Sequence, residues 1–146
     1  MTFRLTKRNM NINPRHLNNL FVRFWKAELM LLVIVILCLI PSSQLPKNVP
    51  IIPHLDKVVH FLMYFSIMLL LIQPMHLTFT NKSKALTISF ILGISLGILV
   101  EVAQHFTLTR SANIYDALAN TAGLVVAALL FPILTRSAFF RWCLYP

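Results

Sequence analysis

Three of the four acidic residues in this 146-residue chain fall in two short polar stretches that also hold histidines and cations. The first is Asp56, Lys57, His60 and Tyr64; the second is Glu101, Gln104, His105, Arg110, Asp116 and Asn120. Asp56/His60 and Glu101/His105 are each a carboxylate and a histidine one helical turn apart, a spacing able to hold a metal such as zinc. Lys57 and Arg110 lie in the same cluster and oppose a cation, so no metal and no cofactor is expected. The same two cations can instead clasp an anionic headgroup or phosphate, with arginine able to make a bidentate contact. His60, Glu101 and Asp116 could then exchange protons. No Ser/His/Asp set, phosphate loop or nucleophile–base pair accompanies them, so no reaction is assigned. The competing reading is structural: boundary charges, packing histidines and ion pairs that only lock helices together.

These residues must be positioned by apolar segments. Asn13-Pro14 reads as a helix start. From there Leu17, Leu20, Phe21, Phe24 and Trp25 recur at helical spacing among Arg15, Arg23 and Lys26, an amphipathic lead-in for the interface, with Glu28 an ordinary interfacial charge. Leu29 to Ile40 is uninterruptedly apolar and, with Trp25 to Glu28, predicts a first span ended by Pro41. Lys57 to Gln73 predicts a second, ended by Pro74. A polar link over His76 to Lys84 leads to a third between Lys84 and His105. Ser111 or Asn113 can cap a fourth over Ile114 to Leu134, with a break at Pro132. The tail sets Arg136 and Arg141 among aromatics, as interfacial segments do.

Within these spans the polar residues share faces. Lys57, His60 and Tyr64 follow each other at three- and four-residue steps. Ser89, Gly93, Gly97, Glu101 and His105 repeat every four residues, and small residues at that spacing let another helix approach closely. Asp116, Asn120, Gly123 and Ala127 repeat the pattern. Packing through the small residues therefore predicts that all three faces converge, with Arg110 paired to Glu101 or Asp116, since carboxylates near hydrocarbon need partners.

Composition agrees. A hydrophobic fraction of 58% and a mean hydropathy of +0.75 exceed what a soluble domain can bury. The net charge of +9 would suggest nucleic acid in a soluble domain, but the basic residues flank apolar runs, as orientation signals do. With four spans, Arg4, Lys7, Arg8, Arg15, Arg23, Lys26, Lys82, Lys84, Arg136 and Arg141 share one side, against Lys47, Lys57 and Arg110 on the other. That asymmetry predicts both termini in the cytoplasm and the polar cluster at the outer face. Cys38 and Cys143 are too far apart for a disulfide or metal pair, and no small residue precedes Cys38 as a lipidation site needs. No small-x-small site follows the first apolar run, so that run is expected to stay as an anchor.

The expected fold is thus an all-α integral membrane protein, a four-helix transmembrane bundle behind an amphipathic interfacial segment. Its parts are a tail and lead-in over 1–28, a membrane domain over 29–135 and an interfacial tail over 136–146.

Asp56-Lys57-x-x-His60-x-x-x-Tyr64, then Glu101-x-x-Gln104, Arg110 and Asp116-x-x-x-Asn120-x-x-Gly123, resemble in order and spacing the VanZ-like family of small bacterial membrane proteins. The resemblance covers roughly residues 30–135 and leaves the N-terminal segment outside. Leu108-Thr109 depart from the Pro-Gly that often precedes the arginine, Ala127 stands where a further glycine is common, and His105 is not part of the pattern. The family's name member is associated with resistance to the glycopeptide teicoplanin. The resemblance implies a cell-envelope role at the bacterial cytoplasmic membrane; with the anion-clasping Lys57 and Arg110, the expected partner is an anionic lipid or lipid-linked envelope precursor. It implies no chemistry.

Overall fold

The computed structural model describes residues 20–40, 54–106 and 113–144. Among them the regular structure is entirely helical: α1 (Leu20–Leu39), α2 (Leu55–Thr78), α3 (Lys82–Phe106), α4 (Ile114–Leu134) and a short α5 (Ala138–Leu144). The expected helix start at Asn13-Pro14, the proline-rich loop after Pro41 and Arg110 lie outside the described residues.

Helices α2, α3 and α4, of 24, 25 and 21 residues, are each long and apolar enough to cross a membrane. At a rise of 1.5 Å per residue, about 20 residues match the hydrocarbon thickness. The chain has the build of a helical membrane protein. Helix α1 differs from the other three. Arg23, Lys26 and Glu28 occupy its first half, and the apolar run from Leu29 to Leu39 covers only about half of the hydrocarbon thickness.

Two proline expectations are corrected. Helix α2 does not stop at Pro74 but runs on to Thr78, whose Oγ1 donates to the Pro74 carbonyl at 2.9 Å. Helix α4 likewise passes Pro132 and ends at Leu134. A proline costs a helix one hydrogen bond and forces a local adjustment, but packing on either side holds the helix together. Ile72 and Pro74 are fully buried, and the His76 ring stands edge-on to Phe131 of α4, centroids 5.2 Å apart. The expected polar link from His76 to Lys84 therefore shrinks to Phe79–Asn81, where the Asn81 side chain accepts from the Lys84 amide at 3.2 Å.

Helix α2 is the hub, touching every other helix and packing most extensively on α4. Its Tyr64, Ile67, Met68 and Ile72 are buried with Leu124, Ala127 and Phe131 of α4, Val100 of α3, and Ile34 and Cys38 of α1. Leu32, Ile36, Ile91, Leu99 and Leu129 point outward, as a lipid-facing surface requires. The helices run up and down. At one end Arg23 donates to Thr78 Oγ1 and Lys26 to the Cys143 carbonyl, both at 2.9 Å. At the other, Gln104 Nε2 donates to the Cys38 carbonyl at 3.0 Å. Charge follows the ends: Arg23, Lys26, Lys82, Lys84, Arg136 and Arg141 lie at the first, and Asp56, Glu101 and Asp116 with Lys57 at the second.

Candidate functional site

The second end holds the polar cluster. The first turns of α2 present Lys57, His60 and Tyr64 down one face, and the facing turns of α4 present Asp116, Asn120 and Gly123. Asn113 starts α4 by accepting the Tyr115 amide on its side chain at 3.0 Å, which sets Asp116 in the first turn. Two polar rungs then join the helices. Lys57 Nζ lies 2.6 Å from Asp56 Oδ2 and 3.1 Å from Asp116 Oδ1. One turn deeper, His60 Nδ1 donates to Asn120 Oδ1 at 3.0 Å between two buried residues. Below these rungs the backbones meet: a Cβ on Gly123 would overlap the Phe61 carbonyl oxygen and lie 2.9 Å from the Phe65 amide nitrogen. Only glycine permits that approach.

The third face behaves otherwise. Between α3 and α4 lies a cavity of about 230 Å³, walled by Gly93, Gly97 and Glu101 on one side and Ala117, Asn120 and Leu124 on the other. Leu124 closes its floor, its Cδ2 lying 2.5 Å from where a Gly93 Cβ would stand. At mid-height, a Cβ on Gly97 would lie 3.7 Å from Tyr64 Oη and 3.8 Å from Asn120 Nδ2. Tyr64 Oη, Asn120 Nδ2 and Glu101 Oε1 are buried and have no hydrogen-bond partner among the described residues. A buried polar atom left unpaired costs about 1–3 kcal/mol, and two of the three residues, Glu101 and Asn120, line the cavity, which calls for an occupant able to pair with them.

The predicted residues thus divide. Lys57, His60, Tyr64, Glu101, Asp116 and Asn120 come together. Asp56 is half-exposed and touches only Lys57. Gln104 is buried but binds the end of α1, away from the cavity. His105 is exposed, its ring edge-on to Phe106. Arg110, expected beside Glu101 or Asp116, lies outside the described residues; Lys57 pairs with the Asp116 carboxylate. Sequence reasoning missed Ala117 and Leu124 as wall and floor. Their one signal is position: each stands one turn from Asn120 on the same helix.

Neither a curated protein nor a solved structure matches the chain. A family model does, VanZ/LLP1, over residues 3–135. The match starts well before the roughly 30–135 covered by the motifs, so the basic N-terminal segment lies inside the family region. It spans all four long helices and both halves of the polar cluster, and on that extent the chain belongs to the VanZ/LLP1 family.

Proposed function

We propose that this protein is a multi-pass component of the bacterial cytoplasmic membrane whose outer-face polar end binds an amphiphile of the cell envelope, an anionic lipid or a lipid-linked precursor. In this reading α1 completes a four-helix bundle, and residues 1–28 and 136–146 lie along the cytoplasmic interface. The observation that carries it is the cavity between α3 and α4, lined by Glu101 and Asn120 with an unpaired buried polar atom on each, and with an apolar floor. Ligand sites combine an apolar lining with a few placed polar groups in this way. Two exposed apolar residues, Ile98 and Val102, form the cavity's outer rim, which suits an occupant arriving from the bilayer. In this reading Lys57, at the same end of the bundle, and Arg110 are the cations that meet an anionic part of the ligand.

Changing Glu101→Gln, Arg110→Ala and His60→Ala one at a time tests this, with protein level and glycopeptide or envelope phenotype measured together. All three variants are expected to accumulate normally and lose the phenotype. The orientation is tested by cysteine labelling of whole cells at Lys47 and Ser83, after replacement of Cys38 and Cys143. Position 47 is expected to label from outside and position 83 to stay protected; labelling at 83 sinks the topology.

A second reading has its own support. The Lys57–Asp116 and His60–Asn120 rungs and the Gly123 contact describe a helix lock that needs no ligand. Under it, every loss of phenotype is matched by loss of folded protein.

A further inference from the structure

Resting on the amphiphile reading, we propose that the cavity between α3 and α4 takes the uncharged, hydroxyl-bearing part of its ligand, a glycerol- or alcohol-type head with the first carbons of a chain, while any charged part stays at the mouth. The unpaired atoms set the requirement. Asn120 Oδ1 is occupied by His60 Nδ1, so the amide turns Nδ2 and its two N–H donors toward Gly97. Glu101 Oε1 can accept. An occupant must therefore offer acceptors to Asn120 and a donor to Glu101 within one small space. A hydroxyl does both.

Charged heads do only half of this. A phosphate ester accepts, and any P–OH it keeps comes with a negative charge set against the Glu101 carboxylate. The described charges at this end are Asp56, Glu101 and Asp116 against Lys57, and the Lys57 ammonium already lies between Asp56 and Asp116. An ammonium head donates to Glu101 but leaves the Asn120 N–H groups unpaired. Size gives the same answer. At about 30 Å³ per water-sized unit, 230 Å³ holds a glycerol unit and a methylene or two. Ile94 and Leu124 at the deep end suit the methylenes. The larger cleft of about 520 Å³ between α1, α2 and α3 is lined by apolar side chains with Glu28 and Ser95, both exposed, and sets no comparable requirement.

The test uses the full chain in nanodiscs and three probes with one chain length and different heads: monolauroylglycerol, lauryl phosphate and laurylamine. Retention is read by native mass spectrometry and by the shift of the thermal transition. The glycerol probe is expected to bind about tenfold more tightly than either charged one, and Glu101→Met to weaken it about tenfold, the ratio of one well-made buried hydrogen bond. Asn120→Leu should weaken it as well. Because that change also breaks the His60 bond, Glu101→Met, which removes the acceptor on the cavity wall, is the deciding variant. If the phosphate or amine probe binds most tightly, or if a cooperatively folded Glu101→Met leaves the glycerol probe unaffected, the head assignment is wrong and amphiphile binding stands. If a cooperatively folded protein retains none of the three, the amphiphile reading fails too and the cavity holds water only.

Discussion

Helix α4 meets its two large neighbours in opposite ways. Toward α2 it is closed: Asp116 and Asn120 are paired rung by rung, and Gly123 lets the backbones touch. Toward α3 it is open: small residues on both sides leave a space of about 230 Å³, with Asn120 Nδ2 unpaired at its edge. One residue, Asn120, takes part in both, its oxygen in the lock and its nitrogen in the space. Small residues in a membrane helix therefore do two different jobs. They either bring backbones together or leave room, and only the neighbour across the interface decides which.

The largest expected effect is at the closed face. Gly123→Ala places a methyl against the Phe61 carbonyl and the Phe65 amide, backbone atoms that yield only if α2 and α4 separate. Overpacking of this kind costs about 3 kcal/mol. Since α2–α4 is the most extensive contact in the bundle, the unfolding free energy should fall by about that amount in reversible unfolding in bicelles. A wild-type unfolding curve would mean the two helices are not locked there, and the comparison would collapse.

A smaller loss is expected one turn above. Asn120→Leu leaves His60 Nδ1 buried without an acceptor, at a cost of about 2 kcal/mol. Adding His60→Leu removes the stranded donor and should recover part of the loss. A double-mutant cycle reads the difference as a coupling of about 1 kcal/mol. Strict additivity would show that the rung contributes nothing and that Asn120 serves the cavity alone.

These contacts were legible in the sequence to different degrees. The pairing of α2 with α4 was readable because Lys57, His60 and Tyr64 and Asp116, Asn120 and Gly123 each repeat at helical steps. The rungs follow directly from matching those two faces. The Lys57–Asp116 pair was not anticipated: nearness in chain pointed Glu101 or Asp116 toward Arg110, which lies outside the described residues, whereas Lys57, far away in sequence, lies 3.1 Å from Asp116. Pro74 and Pro132 read locally as a stop and a break, yet both helices continue through them. A local signal carries no knowledge of the packing around Ile72 and Phe131 that holds the flanking turns. The cavity was the least legible feature. Gly93 and Gly97 form one stripe, but Leu124 crowds the first, whereas the second has room for a methyl beside Tyr64 and Asn120. The contrast, an overlap at Gly93 against ordinary contact with Tyr64 and Asn120 at Gly97, depends on how α3 crosses its neighbours, which spacing along one helix does not encode.

The smallest stability effect, and the sharpest test of the comparison, is at Gly97. A Cβ there would lie 3.5 Å from Tyr64 Cε1, 3.7 Å from Tyr64 Oη and 3.8 Å from Asn120 Nδ2, all ordinary van der Waals contacts. Alanine is favoured over glycine inside a helix by about 1 kcal/mol, so Gly97→Ala should leave the unfolding free energy unchanged or raise it by up to that amount. Yet the new methyl stands where the two unpaired polar atoms face the cavity, and it takes the place an occupant's hydroxyl would fill. The same glycine-to-alanine change thus destabilises at position 123 and is tolerated at position 97, while retention of monolauroylglycerol falls only at 97 among folded variants. If Gly97→Ala instead destabilises the protein as Gly123→Ala does, the α3–α4 interface is closed like its neighbour and the cavity is not a binding site.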